Sequence, residues 1–262
     1  MIDTPPTKIM KPTAKFSSLR RDFNRLFGRP SVSNSINLWN KSLLLAAIGS
    51  VMLALLTAVF DETIMRYVLT HNNNLLSFMA SFTNVGLSQW YLVPAAIIFV
   101  FLLTLNWSQV SPHARVSLAL LTGQLAFLFC AIALSGILAN ILKIVIGRSR
   151  PKLIELCGAW HFEPFTTGYL NASLPSGHAT TMGALAAVLI IWFPKLRLLI
   201  FPACIFGAVT RVAAQAHYPS DVVSGFAFGF IYSLLLARWL ASKEVIFQHK
   251  FSNTIPSLRW RG

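Results

Sequence analysis

Acidic residues are scarce in this sequence: eight Asp and Glu stand against 22 Lys and Arg. Charge of either sign is thin, at 11%, where a soluble domain carries about 25%. That deficit argues against a water-soluble domain and for a lipid environment. Cysteine is nearly absent as well. Cys130 and Cys204 fall in apolar runs and Cys157 in a loop, with no pairing pattern and no metal-ligand spacing. No internal repeat or low-complexity tract is evident.

Apolar residues fill the space left by the missing charge. They make up 55% of the 262 residues, and they cluster in six runs at 41–60, 90–107, 116–142, 179–194, 198–213 and 222–241. Runs of this length predict membrane-spanning helices. The fourth and fifth are short, and only Pro194-Lys195-Leu196-Arg197 separates them, which predicts a tight turn between antiparallel helices. The expected fold is all-α, an integral membrane bundle of six transmembrane helices. Trp39, Trp90, Trp107, Trp192 and Trp239 fall at span ends, as an interfacial aromatic belt would.

A net charge of +14 raises nucleic acid as a partner, but the charges sort by topology. In a six-span chain, 16 of the 22 Lys and Arg lie on one side; the other side holds Arg66, Lys143, Arg148, Arg150, Lys152 and Arg211. The positive-inside rule then places both termini in the cytoplasm. The excess charge reads as an orientation signal with attraction to anionic head groups, and no nucleic-acid partner is expected. Three units follow: a basic cytoplasmic tail over 1–40, a six-span domain over 41–241 and a second basic tail over 242–262. In the first tail, Phe16, Leu19, Phe23, Leu26 and Phe27 share a helical face, which predicts an amphipathic helix on the inner leaflet. The basic segment before residue 41 is long for a signal peptide, so the first run is expected to stay as a span. In the first outer segment, Asn74 is expected to cap a short helix presenting Leu75, Phe78, Met79 and Phe82, with packing as its preferred role.

Ionisable groups are costly at membrane depth and default to a functional reading there. They gather in three places. Lys143 ends the third run, and Arg150 follows seven residues on, two turns if the helix continues, with Pro151 to stop it. Pro175-Ser176-Gly177-His178 forms a turn opening a helix, where free N–H groups make an anion site. Arg211 precedes His217 and Asp221, a ring and a carboxylate four apart; Asp221 suits either a helix cap or a partner for the imidazole. All three places fall on the same outer side. Three cations, a helix start, two imidazoles and a carboxylate suit phosphate chemistry: cations and N–H groups cradle phosphoryl oxygens, while one His attacks and the other moves a proton.

Lys143-(six residues)-Arg150-Pro151, Pro175-Ser176-Gly177-His178 and Arg211-(five residues)-His217-(three residues)-Asp221 resemble the three-part signature of the type 2 phosphatidic acid phosphatase superfamily. That family includes membrane lipid phosphate phosphatases, soluble bacterial acid phosphatases and vanadium haloperoxidases. The resemblance implies that His217 is the nucleophile and forms a phosphohistidine, that Asp221 orients it, and that His178 is the general acid and then the base. Lys143, Arg150, Arg211, Ser176 and Gly177 would bind the phosphate. No metal and no cofactor are implied. The family pattern usually has Ser before the third-motif arginine; here Thr210 stands there and keeps the hydroxyl.

The expected function is a membrane lipid phosphate or diphosphate phosphatase, acting at the periplasmic face of a bacterial inner membrane. Undecaprenyl diphosphate, a lipid A phosphate, phosphatidylglycerol phosphate and phosphatidate are all possible substrates. An outward-facing site favours the carrier lipid or lipid A. A lipid phosphotransferase on the same scaffold is the alternative, and a non-catalytic transporter or scaffold a more distant one. His161, Glu155 and Glu163 lie in the outer loop and are expected to be solvated. Asn140 is expected to bond between helices.

Overall fold

The computed structural model describes residues 38–71, 73–243, 246–248 and 255–258. The expected amphipathic helix over 14–27 lies outside the described residues. Nine α-helices follow in order among the described residues: α1 (Lys41–Val59), α2 (Asp61–Thr70), α3 (Asn74–Ser81), α4 (Gln89–Thr104), α5 (Pro112–Ile146), α6 (Ile154–Cys157), α7 (Gly177–Trp192), α8 (Arg197–Ala213) and α9 (Pro219–Ser242). A two-residue ladder pairs β1 (Phe247–Gln248) with β2 (Ser257–Leu258), Phe247 opposite Leu258. The chain is thus an all-α bundle, with helices starting and stopping within a few residues of the apolar runs.

Local chemistry sets the ends. The Asn40 side chain accepts the Leu43 N–H at 2.8 Å and opens α1. Ser111 caps α5, with Pro112 at its first position. The cap of α3 is Asn73, which accepts the Leu76 N–H at 2.9 Å, one residue ahead of the expected Asn74. Helix α3 fills its expected packing role only in part. It meets α8 through Phe82 on Phe206, and leaves Leu75 and Phe78 exposed.

Five helical stretches are long and apolar enough to cross a membrane: Lys41–Val59, Asn74–Thr104, Pro112–Ile146, Pro194–Ala213 and Pro219–Ser242. Helix α5, at 35 residues, runs ~50 Å at 1.5 Å per residue, well beyond a hydrocarbon core of ~30 Å. Helix α7 has only 16 residues and sits at the centre, packed on α5, α8 and α9. Its short length is matched by its burial, since neighbouring helices rather than lipid surround it. Lipid tails are as apolar as leucine, so helices in a bilayer associate through close packing. Helix α7 accordingly presents Ala179, Thr180, Gly183, Ala184 and Ala187 to its neighbours. A Cβ at Gly229 of α9 would collide with the Thr180 carbonyl, and one at Gly225 with the Ser176 carbonyl.

The outward surfaces of α1 and α4 expose Leu44, Leu45, Val51, Met52, Ile97 and Phe101, as a lipid-facing bundle requires. Trp39, Trp90 and Trp239 are exposed at helix ends. Trp107 departs from the aromatic belt: it turns inward and its indole N–H donates to the Leu102 carbonyl at 3.1 Å. Two main apolar cores result. One, at the end of the bundle bearing both the start of α1 and the end of α9, joins Leu43, Phe127, Val188, Leu234, Ile246 and Phe247. The other, at the opposite end, joins Met65, Val68, Ile154, Met182, Val212 and Tyr218. All three motifs lie at this second end.

Candidate active site

Helix α5 carries Lys143 into the site and then stops early. Gly147 takes φ 64° and its N–H bonds back to the Lys143 carbonyl at 2.8 Å. A Cβ at Gly147 would also run into the Glu163 carbonyl, so both the backbone angle and the space demand glycine. The helix does not continue from Lys143 to Arg150, so the two-turn spacing does not apply. The two cations converge through the loop instead. Lys143 Nζ donates to the carbonyls of Ala172 at 2.9 Å and Ser173 at 3.3 Å. Arg150 donates to Ala172 O at 3.2 Å, Tyr169 O at 2.9 Å and Ala216 O at 3.3 Å, with its guanidinium 3.9 Å from the centre of the Tyr169 ring.

The loop 147–176 is held by backbone bonds along its length. The Ser149 N–H meets His161 O, the Arg150 N–H meets Leu170 O, and the Ser173 N–H meets Arg148 O. It ends at Ser176, fully buried, whose hydroxyl oxygen faces the Ala179 N–H at 3.5 Å and whose own N–H donates to the Asp221 carbonyl at 3.0 Å. Ser176 and Gly177 thus form the N-terminus of α7, where the first N–H groups lack intrahelical acceptors. Gly177 lies 3.9 Å from Lys143 Cε, measured from where its Cβ would stand, so the helix start and the lysine share one space.

Arg211, on the last turn of α8, donates to Thr83 Oγ1 at 2.6 Å, and its buried Nε has no protein partner. Thr210 sends its hydroxyl to the Gly207 carbonyl at 2.7 Å within its own helix, where its β-branched side chain is fully buried. His178, half-buried, backs against Gly86 of the 83–86 turn. Lys143, Arg150 and Arg211 all lie within electrostatic reach of His178, and the first two within reach of His217.

His217 is 2% exposed, just before α9. Its Nδ1 lies 3.7 Å from Asp221 Oδ2, too long for a direct hydrogen bond, and 3.4 Å from Ser173 Oγ. The Ser173 hydroxyl donates to Asp221 Oδ2 at 2.6 Å. A path therefore runs from Nδ1–H through Ser173 to the carboxylate, and it leaves Nε2 as the nitrogen with a free lone pair. Burial pushes the His217 imidazole down to about 3, against the pull of Asp221, with Lys143 and Arg150 adding to the depression. The ring is neutral at neutral pH. Asp221 Oδ2 also accepts the Tyr218 N–H at 3.0 Å, as a helix cap would, while it faces the imidazole through Ser173 rather than directly.

The eight sequence-derived residues Lys143, Arg150, Ser176, Gly177, His178, Arg211, His217 and Asp221 thus gather at one end of the bundle. Three residues that sequence reasoning passed over join them. Ser173 bridges His217 and Asp221. Arg148 donates to Asp221 Oδ1 at 2.7 Å and to Asp61 Oδ2 at 2.8 Å. Asp61 begins α2 and is fully buried. Charge inside a membrane chain was the available signal for Arg148 and Asp61; Ser173 carried none. The neighbouring arginines of the first motif have opposite fates. Arg148 is matched by two carboxylates, whereas Lys143, Arg150 and Arg211 form no ion pair with any carboxylate among the described residues. Those three cations present unbalanced positive charge, and Arg150 keeps it despite burial, which lowers its pKa from the ordinary arginine value.

Of the outer-loop groups, Glu155 pairs with Arg66 at 2.8 Å on the surface, and His161 faces Glu163 at 3.6 Å. No cluster of metal-binding side chains is found among the described residues. The three cysteines are free.

Comparison with known proteins bears on the same stretch. The family model of the PAP2 superfamily matches residues 124–244. Over 123 residues the chain is 43% identical to a lipid A 1-phosphatase of Rhizobium johnstonii and 43% identical to one of Rhizobium etli. Each match covers 47% of this chain and, respectively, 50% and 53% of those proteins, so it spans about half the length of these curated relatives. Among solved structures, a transmembrane PAP2 type phosphatidylglycerolphosphate phosphatase from Bacillus subtilis aligns over 72% of this chain and 93% of its own, at 19% identity and a TM-score of 0.48.

Proposed function

Residues 124–244 match the PAP2 superfamily, and from that premise we propose that the protein is a membrane lipid phosphatase working through a phosphohistidine. One observation carries this reading. A buried His217 lies within electrostatic reach of Lys143 and Arg150, and these two and Arg211 have no carboxylate partner among the described residues. A phosphomonoester or diphosphate supplies the missing negative charge.

In the proposed reaction, Lys143, Arg150 and Arg211 neutralise the phosphoryl oxygens, and the Ser176 hydroxyl and Gly177 N–H complete the cradle. His217 Nε2 attacks phosphorus and the bond to the leaving oxygen breaks. His178, protonated once the bound phosphate offsets the cations around it, delivers its proton to that oxygen. Positive charge growing on the His217 ring is met at Nδ1 by Ser173 and Asp221. His178, now neutral, takes a proton from water, which attacks the phosphohistidine and frees inorganic phosphate and His217. The fixed cations fill the role that magnesium plays in other phosphoryl transfers.

The preferred substrates are lipid A phosphate, in keeping with the lipid A 1-phosphatases among its relatives, or an envelope carrier diphosphate. Phosphatidylglycerol phosphate and phosphatidate remain in the test panel. We place all six apolar helices across the bacterial inner membrane, with the spanning domain over 41–241, both basic tails in the cytoplasm and the site at the periplasmic face. The basic end of the bundle supports this orientation.

The test is direct. Purified wild type and His217→Ala are given each lipid phosphate in detergent with EDTA present, and inorganic phosphate is measured. Release by the wild type alone is the expected result. Release by both proteins would remove His217 from the nucleophile's role, and transfer to a labelled acceptor lipid without phosphate release would make the protein a phosphotransferase.

A further inference from the structure

We propose that Arg148 and Asp61 are positioning residues for the reaction: Arg148 fixes Asp221 behind His217, and Asp61 balances the arginine so that the carboxylate keeps its hold on the ring. This role rests on the reading of His217 as the nucleophile.

Arg148 has no donor to spare for substrate. A guanidinium offers five N–H donors, and all five are engaged within the protein. Nε donates to Ala159 O at 3.2 Å; one terminal nitrogen reaches Ser220 Oγ at 2.8 Å and Asp221 Oδ1 at 2.7 Å; the other reaches Asp61 Oδ2 at 2.8 Å and Ala159 O at 2.9 Å. The Tyr218 ring covers it, 4.3 Å from the guanidinium carbon. Arg148 is 2% exposed. Burial disfavours its charge, yet Asp221 and Asp61 together hold its pKa above the ordinary arginine value. Arg148 therefore acts on the protein side of the site.

Asp61 reaches the same place from the start of α2, outside the residues matched by the family model. Its Oδ1 accepts the Ser220 N–H at 2.9 Å and its Oδ2 accepts the Ser220 hydroxyl as well as Arg148. Ser220 precedes Asp221 in the first turn of α9. Asp61 thus holds both the helix that carries Asp221 and the arginine that orients it. Two carboxylates share one guanidinium, which leaves one net negative charge to face His217. A buried ion network gives stability little or no net advantage over apolar packing, but this one leaves charge where the reaction develops it.

The arrangement predicts a charge-balance effect. Asp221 faces Arg148, His217, Ser173 and the Tyr218 N–H directly, Asp61 through Arg148 and Ser220, and Lys143 and Arg150 at longer range. Without Arg148, Asp61 and Asp221 repel, and one of them takes a proton at higher pH. Protonated Asp221 no longer supports the imidazole, so the acid limb of the rate profile moves up. Removing Asp61 as well relieves the repulsion and moves the limb back.

Phosphate release is measured with the panel lipid that the wild type hydrolyses fastest, over about pH 5 to 9. The proteins are full-length wild type, Arg148→Met, Arg148→Lys, Asp61→Asn and the Arg148→Met/Asp61→Asn double variant, with rates referred to monodisperse protein. Arg148→Met is expected to lower kcat ~100-fold with KM within about threefold and to raise the acid limb. The double variant is expected to recover about tenfold in kcat over Arg148→Met and to return the limb toward the wild-type position. A double variant no better than Arg148→Met, with the same limb, overturns the proposal. Should Arg148→Met fail to fold, Arg148→Lys and Asp61→Asn decide: wild-type limbs in both overturn it, and displaced limbs support it. An inactive wild type on every lipid overturns the phosphatase reading and this role together, whereas an active wild type with unshifted variants overturns this role alone.

Discussion

Lys143 and Arg150 meet at one carbonyl oxygen, that of Ala172, at 2.9 and 3.2 Å. One comes from a helix end and the other from the loop beyond it. Neutral carbonyls are weak partners for two cations, so both remain available to a phosphoryl group that brings formal negative charge. Lys143→Met and Arg211→Met are each expected to lower kcat/KM by ~100-fold to 1000-fold. Arg150→Lys should lose activity too, because a point ammonium cannot reproduce the fork that reaches Tyr169, Ala172 and Ala216. Steady-state phosphate release checks all three, and wild-type kcat/KM in any of them removes that residue from the cradle.

Gly147 is the pivot that lets the chain leave α5 toward Arg148 and Arg150. Its φ of 64° and the Glu163 carbonyl beside it leave no room for a methyl group. Gly147→Ala is expected to destabilise the protein by about 1–3 kcal/mol and to cut activity by misplacing the loop. A melting curve in detergent measures the first effect. A variant as stable as the wild type would mean that the loop can shift without penalty.

His217 makes stability depend on pH in a definite direction. Burial lowers its pKa to about 3 in the folded protein, against about 6.5 in an unfolded chain. Between these values the unfolded chain binds the extra proton, so stability rises with pH and is lost as pH falls. The contribution is fully present above about pH 6.5 and gone below about pH 3. Wild type should therefore melt at progressively lower temperature as pH drops from about 6.5 toward about 4. His217→Asn, which cannot titrate, should show a shallower slope. Parallel slopes would mean that the acid sensitivity belongs to other groups.

Fixed cations also set what inhibits the reaction. EDTA is expected to leave phosphate release unchanged, because Lys143, Arg150 and Arg211 supply the positive charge. Vanadate is expected to inhibit, since it can adopt the five-coordinate geometry of the transferring phosphoryl group. A loss under EDTA that a divalent ion restores would contradict the metal-free cradle.

The turn at 83–86 presses on His178, the proposed proton donor. Gly86 stands so near His178 that a new Cβ would lie 2.8 Å from the His178 Cβ. Gly86→Ala should shift the ring and lower kcat ~10-fold while leaving the other site residues in place. Leaving-group dependence tests the assignment: substrates with good leaving groups, which need little protonation, should suffer least.

Much of this protein follows from its sequence alone. Low charge and long apolar runs dictate a helical membrane bundle, because a bilayer forces every backbone polar group to be satisfied within its own segment. The spacing of Lys143, Arg150, His178, Arg211, His217 and Asp221 marks the candidate site, because ionisable groups at membrane depth are costly and stand out against an apolar chain. Helix ends were legible to within a few residues wherever Ser, Asn, Pro or Gly supplied a local cap.

Other features were decided only in three dimensions. The sequence leaves open whether α5 continues toward Arg150; a carbonyl from residue 163 and the left-handed Gly147 end it before that. Ser173 is one serine among many until the loop brings it between His217 and Asp221. Arg148 and Arg150 look alike in sequence; Asp61, 87 residues before Arg148, separates their roles. A side chain's chemical type is local and can be read along the chain. Which charges cancel and which stay open depends on partners that meet only when distant segments pack, and the fold alone makes that choice.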